Sequence, residues 1–63
     1  MDITSLGSGQ HEVHLTETEL RIICNCMNET CNGIAVPEFE TRVGAVREDV
    51  EAMLNKLLAA LAK

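Results

Sequence analysis

Hydrophobic and polar positions alternate in one short stretch near the amino end of the chain. Residues 11–15 read His-Glu-Val-His-Leu, so Val13 and Leu15 share one face of an extended segment. The ten residues before this stretch show no periodicity and contain Gly-Ser-Gly, which is typical of a flexible linker. We therefore expect a flexible lead-in over residues 1–10, followed by a short extended arm or strand that needs a partner edge.

From residue 16 onward the apolar residues recur at helical spacing. Thr16 and Glu19 have the spacing of a capping box, in which each side chain bonds the other's backbone amide. This pattern predicts a first helix from Glu17 to Asn32. Gly33 is expected to close that helix in the left-handed conformation.

Two further helices are predicted in the second half of the chain. Pro37 suits the start of a short helix that holds Glu38 to Val43, and Gly44 is expected to end it. The last helix should begin near Val46 and run almost to Lys63. Each long helix carries an apolar stripe at the spacing of one buried face. The two stripes consist of Leu20, Ile23, Cys24, Met27 and Cys31 in the first helix, and of Val46, Val50, Met53, Leu54, Leu57 and Leu61 in the last.

These elements predict an all-α fold. We expect a small three-helix domain over residues 11–63, with two long helices, a short middle helix and the short N-terminal extended arm or strand. Sixty-three residues allow one domain with a small core. Three apolar residues lie beyond the main stripes, at Ile22, Cys26 and Leu58, and indicate a self-association face.

The charge of the chain disfavours several classes of partner. The net charge is −5, so phosphate backbones and anionic membrane surfaces are expected to be repelled, and nucleic acid is an unlikely ligand. No apolar run approaches the roughly 20 residues of a membrane-spanning helix. The chain starts without the pattern of a secretion signal, and three cysteines are an odd number for a disulfide framework. We therefore expect a cytoplasmic protein.

Candidate chemical groups do not form a known catalytic or metal-binding pattern. Cys24 and Cys26 point about 160° apart on a helix, so they cannot share one ion while the helix persists. The three cysteines are expected to act as small buried hydrophobes, with Cys26 the best candidate for an exposed thiol. His11 and His14 are expected to be polar residues of an exposed arm. We predict no enzymatic activity, no catalytic residue, no cofactor and no metal.

The second and third helices have the spacing of a helix-turn-helix. The positions that match its apolar and glycine pattern are Phe39, Val43, Gly44, Ala45, Val50 and Met53. In such a unit the second helix enters the major groove with basic or amide side chains. Here Arg47 is accompanied by three acids at its outward positions, and it is expected to pair with Glu51 four residues later. A helical corner without DNA binding and a small transcription regulator both remain open.

Two segments of the chain resemble a pattern found in small bacterial proteins. The segments are Asn28-Glu29-Thr30-Cys31-Asn32-Gly33 and Pro37-Glu38-Phe39-Glu40-Thr41-Arg42-Val43-Gly44. The resemblance is to short acidic helical proteins of the immunity or inhibitor type, which are encoded beside toxins. It implies bacterial origin, a compact helical structure and a protein partner, and it transfers no catalytic residue.

Charge and patterning together favour a non-catalytic protein-binding module, an acidic inhibitor or immunity-type protein that binds a basic protein. The alternatives are the helix-turn-helix regulator and a structural homodimer with no other ligand. The expected partner-binding residues are Glu29, Glu38, Glu40, Glu48, Asp49 and Glu51. The expected self-association residues are Val13, Leu15, Ile22, Cys26 and Leu58.

Overall fold

Two strands precede the helices in the computed structural model, which describes residues 1–62. The elements in chain order are β1 (Asp2–Gly7), β2 (Gln10–His14), α1 (Glu17–Asn28), a π-helical turn (Glu29–Gly33), α2 (Phe39–Val43) and α3 (Arg47–Leu61). The fold is therefore α+β, and the prediction of an all-α fold was wrong. Lys63, toward which the last helix was predicted to run, lies outside the described residues.

The segment predicted as a flexible lead-in forms half of an antiparallel hairpin. Ile3 lies opposite Val13, and the register shifts by a bulge between Ser5 and Gly7. Ser8 and Gly9 connect the strands with φ angles of 54° and 77°. Positive φ at both loop residues is what a tight two-residue hairpin turn of the right twist requires. The Gly-Ser-Gly run is thus a turn, and the lead-in prediction was wrong.

The capping box predicted at the start of the first helix is confirmed. The Thr16 hydroxyl accepts from the Glu19 amide at 3.1 Å, and the Thr16 amide donates to the Glu19 carboxylate at 2.9 Å. These two bonds satisfy amides that have no partner within a helix. They fix the boundary between the hairpin and α1.

The other end of the first helix differs from the prediction. The α-helix stops at Asn28 and widens into the π-helical turn, in which the Ile34 amide donates to the Glu29 carbonyl at 3.0 Å. The Thr30 hydroxyl donates to the Cys26 carbonyl at 3.0 Å. A side-chain hydroxyl that bonds to a carbonyl four residues earlier competes with the backbone hydrogen bonds of the helix and bends it. Gly33 does not adopt the left-handed conformation, so its predicted closing role was wrong.

The short helix α2 begins one residue later than predicted. Pro37 lies in the turn before it, and Glu38 precedes the helix with a φ of 54°. A positive φ is uncommon for a residue with a β-carbon and costs energy there. Gly44 ends α2 with a φ of 89°, as predicted. This glycine lets the chain reverse directly into α3.

The core lies between α1 and α3. Its buried side chains are Cys24, Cys31, Val50 and Leu54. Most of the other residues of the two predicted stripes are half-buried, but Met53 is 57% exposed and does not belong to the packed face. This core is small for a chain of 63 residues.

The molecule is more open than its size predicts. Its radius of gyration is 13.0 Å, whereas a compact chain of this length has about 11 Å. Its accessible surface is 4879 Å², whereas the scaling of surface with mass gives about 4,000 Å². The hairpin accounts for part of this surface, because every residue from Asp2 to His14 is exposed. Within residues 1–62, none of the helices combines the length and the apolar character needed to cross a bilayer.

Candidate protein-binding surface

Arg47 joins the π-helical turn, α2 and α3. Its guanidinium donates to the backbone carbonyl of Cys31 and lies 4.5 Å from the centre of the Phe39 ring. The bond to Cys31 also places the π-helical turn beside the start of α3. Arg47 is half-buried, and it forms no ion pair with Glu51 within residues 1–62. The predicted pair was wrong because the guanidinium turns toward the ring and the carbonyl.

The six carboxylates expected to bind a partner lie on the elements that Arg47 joins. The first is at the start of the π-helical turn, two lie at or before the first turn of α2, and three lie in the first turns of α3. All are exposed except the last, which is half-buried. We call this set the acidic surface: Glu29, Glu38, Glu40, Glu48, Asp49 and Glu51.

Helix starts explain why acids accumulate in this region. Unpaired amides give a helix start a partial positive charge, which favours carboxylates there by about 0.3–1 kcal/mol each. Glu48 and Asp49 occupy the first turn of α3, and Glu40 occupies the first turn of α2. Glu29 folds over Gly33, and a β-carbon on that glycine would collide with the Glu29 carboxylate. Because Glu29 is exposed and its carboxylate is the far end of a flexible side chain, it can move aside, and the glycine is not required for the acid.

Ion pairing differs between the two halves of the chain. In the amino-terminal half, Glu12 lies 2.6 Å from His14, Glu17 lies 3.3 Å from Arg21, and Glu19 lies 2.8 Å from the Met1 ammonium. The six carboxylates of the acidic surface form no ion pair with any group in residues 1–62. The segment from residue 29 to residue 51 holds these six carboxylates and two arginines, a net charge of −4. Six carboxylates without an ion-pair partner in residues 1–62 therefore come from this one segment of the sequence.

The cysteines follow the sequence prediction in part. Cys24 and Cys31 are buried, Cys26 is exposed, and all three are free thiols. Both histidines lie on the exposed hairpin. Among residues 1–62 no three His, Cys, Asp or Glu side chains are placed to hold a metal ion, and this part of the chain encloses no pocket.

The residues expected to self-associate are divided among three elements. Val13 is exposed on the hairpin, and Leu15, just beyond it, is half-buried. Ile22 and Cys26 are exposed on α1, and Leu58 is exposed on α3.

The hairpin and α1 are joined by an ion pair that involves the amino terminus. Ile22 and Cys26 follow Glu19 by three and seven residues, so they lie on its side of α1. The bond from Met1 to Glu19 holds the start of the hairpin on that side.

Two exposed apolar residues at this junction were missed by the sequence reasoning. Met1 is 59% exposed and Ile3 is 62% exposed. The available signal was the alternation of Ile3 with Asp2 and Thr4 before the Gly-Ser-Gly turn. Two alternating segments on either side of such a turn predict a hairpin with one apolar face.

The helix-turn-helix positions are only partly packed. Val50 is buried, and Phe39 and Ala45 are half-buried, but Val43 and Met53 are exposed. Comparison with protein-family models, with curated proteins and with solved structures gives no match.

Proposed function

We propose that the chain is a non-catalytic protein-binding module of the inhibitor or immunity type, whose acidic surface binds a basic protein partner. The observation that carries this proposal is the contrast in ion pairing. Three of the four carboxylates before residue 29 lie within 3.3 Å of a basic group, the exception being Asp2, whereas none of the six of the acidic surface does so within residues 1–62.

Charge geometry supports a basic protein as the partner. Arg47, one of the two cations between residues 29 and 51, makes its contacts with Phe39 and Cys31 and not with a carboxylate. The remaining field is strongly negative and attracts a positive surface, which accelerates association at low salt. The same field opposes phosphate backbones, so we favour a protein over nucleic acid as the ligand. Glu48 and Asp49 at the start of α3 oppose the groove-binding role of a helix-turn-helix in particular.

Free thiols support a reducing compartment as the place where the protein works. An exposed thiol such as Cys26 oxidises readily outside the cell, and three unpaired cysteines suit the cytoplasm. We propose a cytoplasmic protein on this ground.

The test compares two variants with the same change of net charge. The first neutralises Glu38, Glu48 and Asp49 (E38Q, E48Q, D49N), and the control neutralises Asp2, Glu12 and Glu17 (D2N, E12Q, E17Q). The native chain is immobilised, proteins of a bacterial lysate are captured at low salt, and the captured partner is purified for calorimetry with each variant. Circular dichroism checks that both variants keep their helices.

A basic partner, a Kd raised roughly tenfold by the first variant and a change below about twofold in the control would support the proposal. Raising the salt should weaken binding of the native chain more than binding of the first variant, because exposed charges are screened. Equal losses in the two variants, or a neutral partner with salt-independent affinity, would refute the acidic surface as the binding site.

A further inference from the structure

The six carboxylates of the acidic surface come from three separate segments of the chain. Glu29 begins the π-helical turn, Glu38 and Glu40 flank the first residue of α2, and the other three lie in the first turns of α3. None of them has an ion-pair partner within residues 1–62. Segments with like charges repel each other, so their association requires a contact that opposes this repulsion.

Arg47 contacts the two other acidic segments from the start of α3. Its guanidinium donates to the Cys31 carbonyl in the π-helical turn and lies 4.5 Å from the centre of the Phe39 ring in α2. Five of the six carboxylates belong to residues within two positions of Arg47, Cys31 or Phe39, and Glu51 follows Arg47 by about one helical turn. Consecutive Cα atoms are about 3.8 Å apart, so the Cα atoms of those five residues lie within about 8 Å of the Cα of one of these three. The contacts of Arg47 therefore bring the backbones of the acidic segments together.

No other hydrogen bond joins these segments to one another in the part of the chain that the structure describes. Residues 29–34 otherwise bond to α1 or among themselves, and residues 38–44 bond among themselves. Arg42, the second cation of the region, is exposed and pairs with no carboxylate of residues 1–62. Loss of Arg47 would therefore leave the three acidic segments without a hydrogen bond between them.

Arginine is suited to this double contact. Its planar guanidinium can stack on a ring while its edge donates hydrogen bonds, and it is always charged. Arg47 is half-buried, so salt screens its charge less than that of an exposed side chain. The same group can therefore fix the segments in place and offset part of the repulsion among their carboxylates.

From these contacts we propose that Arg47 is a positioning residue for the acidic surface. It holds the π-helical turn, α2 and the start of α3 together, so that a basic partner meets carboxylates from all three at once. This proposal rests on the function proposed above and names the side chain that prepares its surface. Arg47 makes its contacts within the chain and requires none with the partner.

A basic probe distinguishes this positioning role from a simple effect of charge. Arg47→Met removes one positive charge from a chain of net −5, so attraction for a polycation would increase if charge alone mattered. If Arg47 positions the acidic segments, the same change weakens binding, because the polycation no longer reaches all of them together. Arg42→Met is the matched control, since it removes the same charge from an exposed position in α2.

The experiment titrates a fluorescently labelled octa-arginine peptide with each purified chain at low salt and follows fluorescence anisotropy. Circular dichroism checks that each variant keeps its helices. Amide NMR spectra of the native chain show which residues respond to the peptide. Amides in residues 29–33, 38–40 and 48–51 should shift along a single binding curve.

Arg47→Met should raise the Kd of the peptide roughly threefold or more, whereas Arg42→Met should leave it unchanged or lower it. If Arg47→Met loses its helices, Phe39→Leu takes its place. That variant keeps the net charge but removes the ring that the guanidinium contacts, and it should raise the Kd about twofold.

A Kd for Arg47→Met equal to or below that of Arg42→Met, with helices retained, would overturn the proposal. So would native amide shifts confined to one of the three segments, a native chain that does not bind the peptide, or, where it is needed, a Phe39→Leu variant that binds like the native chain. The outcome is separate from that of the partner capture. A positioning effect without a captured basic partner would refute the proposed function alone, and a captured basic partner without a positioning effect would refute the role of Arg47 alone.

Discussion

Replacing Arg47 with methionine tests whether this side chain fastens the helical half of the molecule. Arg47→Met keeps most of the aliphatic stem but removes the guanidinium. Two interactions are then lost, the hydrogen bond to the Cys31 carbonyl and the contact 4.5 Å above the Phe39 ring.

The magnitude follows from these two contacts. A hydrogen bond from a charged donor contributes about 1.5–3 kcal/mol, and a partly exposed cation–π contact contributes about 0.5–1 kcal/mol. Arg47 is half-buried, so water can replace part of the lost bonding and the lower ends of these ranges apply. We expect a loss of about 2 kcal/mol in the free energy of unfolding, which is a large fraction of the roughly 3–5 kcal/mol that the core of such a small domain rarely exceeds.

Urea denaturation followed by circular dichroism at one fixed protein concentration measures this loss. The matched control is Arg42→Met, because Arg42 is exposed on α2 and pairs with no carboxylate of residues 1–62. A double-mutant cycle with Phe39→Leu should give a coupling energy of about 0.5–1 kcal/mol. If Arg47→Met costs no more than the control, or if the cycle shows no coupling, Arg47 does not hold these elements together.

Three further predictions concern the core, the hairpin and the thiols. Leu54→Ala should lower the free energy of unfolding, measured by urea denaturation, by about 2–4 kcal/mol because Leu54 is buried. The control Leu58→Ala, on the exposed edge of the same helix, should lower it by under about 1 kcal/mol. Equal losses would contradict this core. The Glu19 carboxyl, whose pKa is lowered to about 2 from 4.5, should titrate near pH 2 in NMR. Its ion pair therefore stabilises the fold fully between about pH 4.5 and neutral pH, and that contribution is lost as the pH falls toward 2. A midpoint near 4.5 would disprove the pairing. Iodoacetamide should modify Cys26 in the native protein and the two buried cysteines only after unfolding, as mass spectrometry of peptides can show.

Local signals predicted the start of α1 and the end of α2. The capping box of Thr16 and Glu19 needs no partner outside four residues, and Gly44 suffices to end a helix in the left-handed conformation. The apolar stripes likewise predicted Cys24 and Leu54 in the core. These features were predictable because the physics that produces them acts over one or two helical turns.

The hairpin was missed because Gly-Ser-Gly suits a linker and a tight turn equally. Strand alternation on both sides decides between them, and the bulge at Leu6 interrupts it on the first strand. The opposite strand therefore looked like an arm without a partner. Composition alone could not distinguish these possibilities, since the same residues serve both.

The acidic surface was predictable in position but not in pairing. Helix starts attract carboxylates, so Glu48 and Asp49 could be placed by sequence. Arg47 was expected to neutralise Glu51 on its own helix, but it turns toward Phe39, a residue eight positions earlier. That choice depends on how α2 packs against α3, which no local pattern specifies.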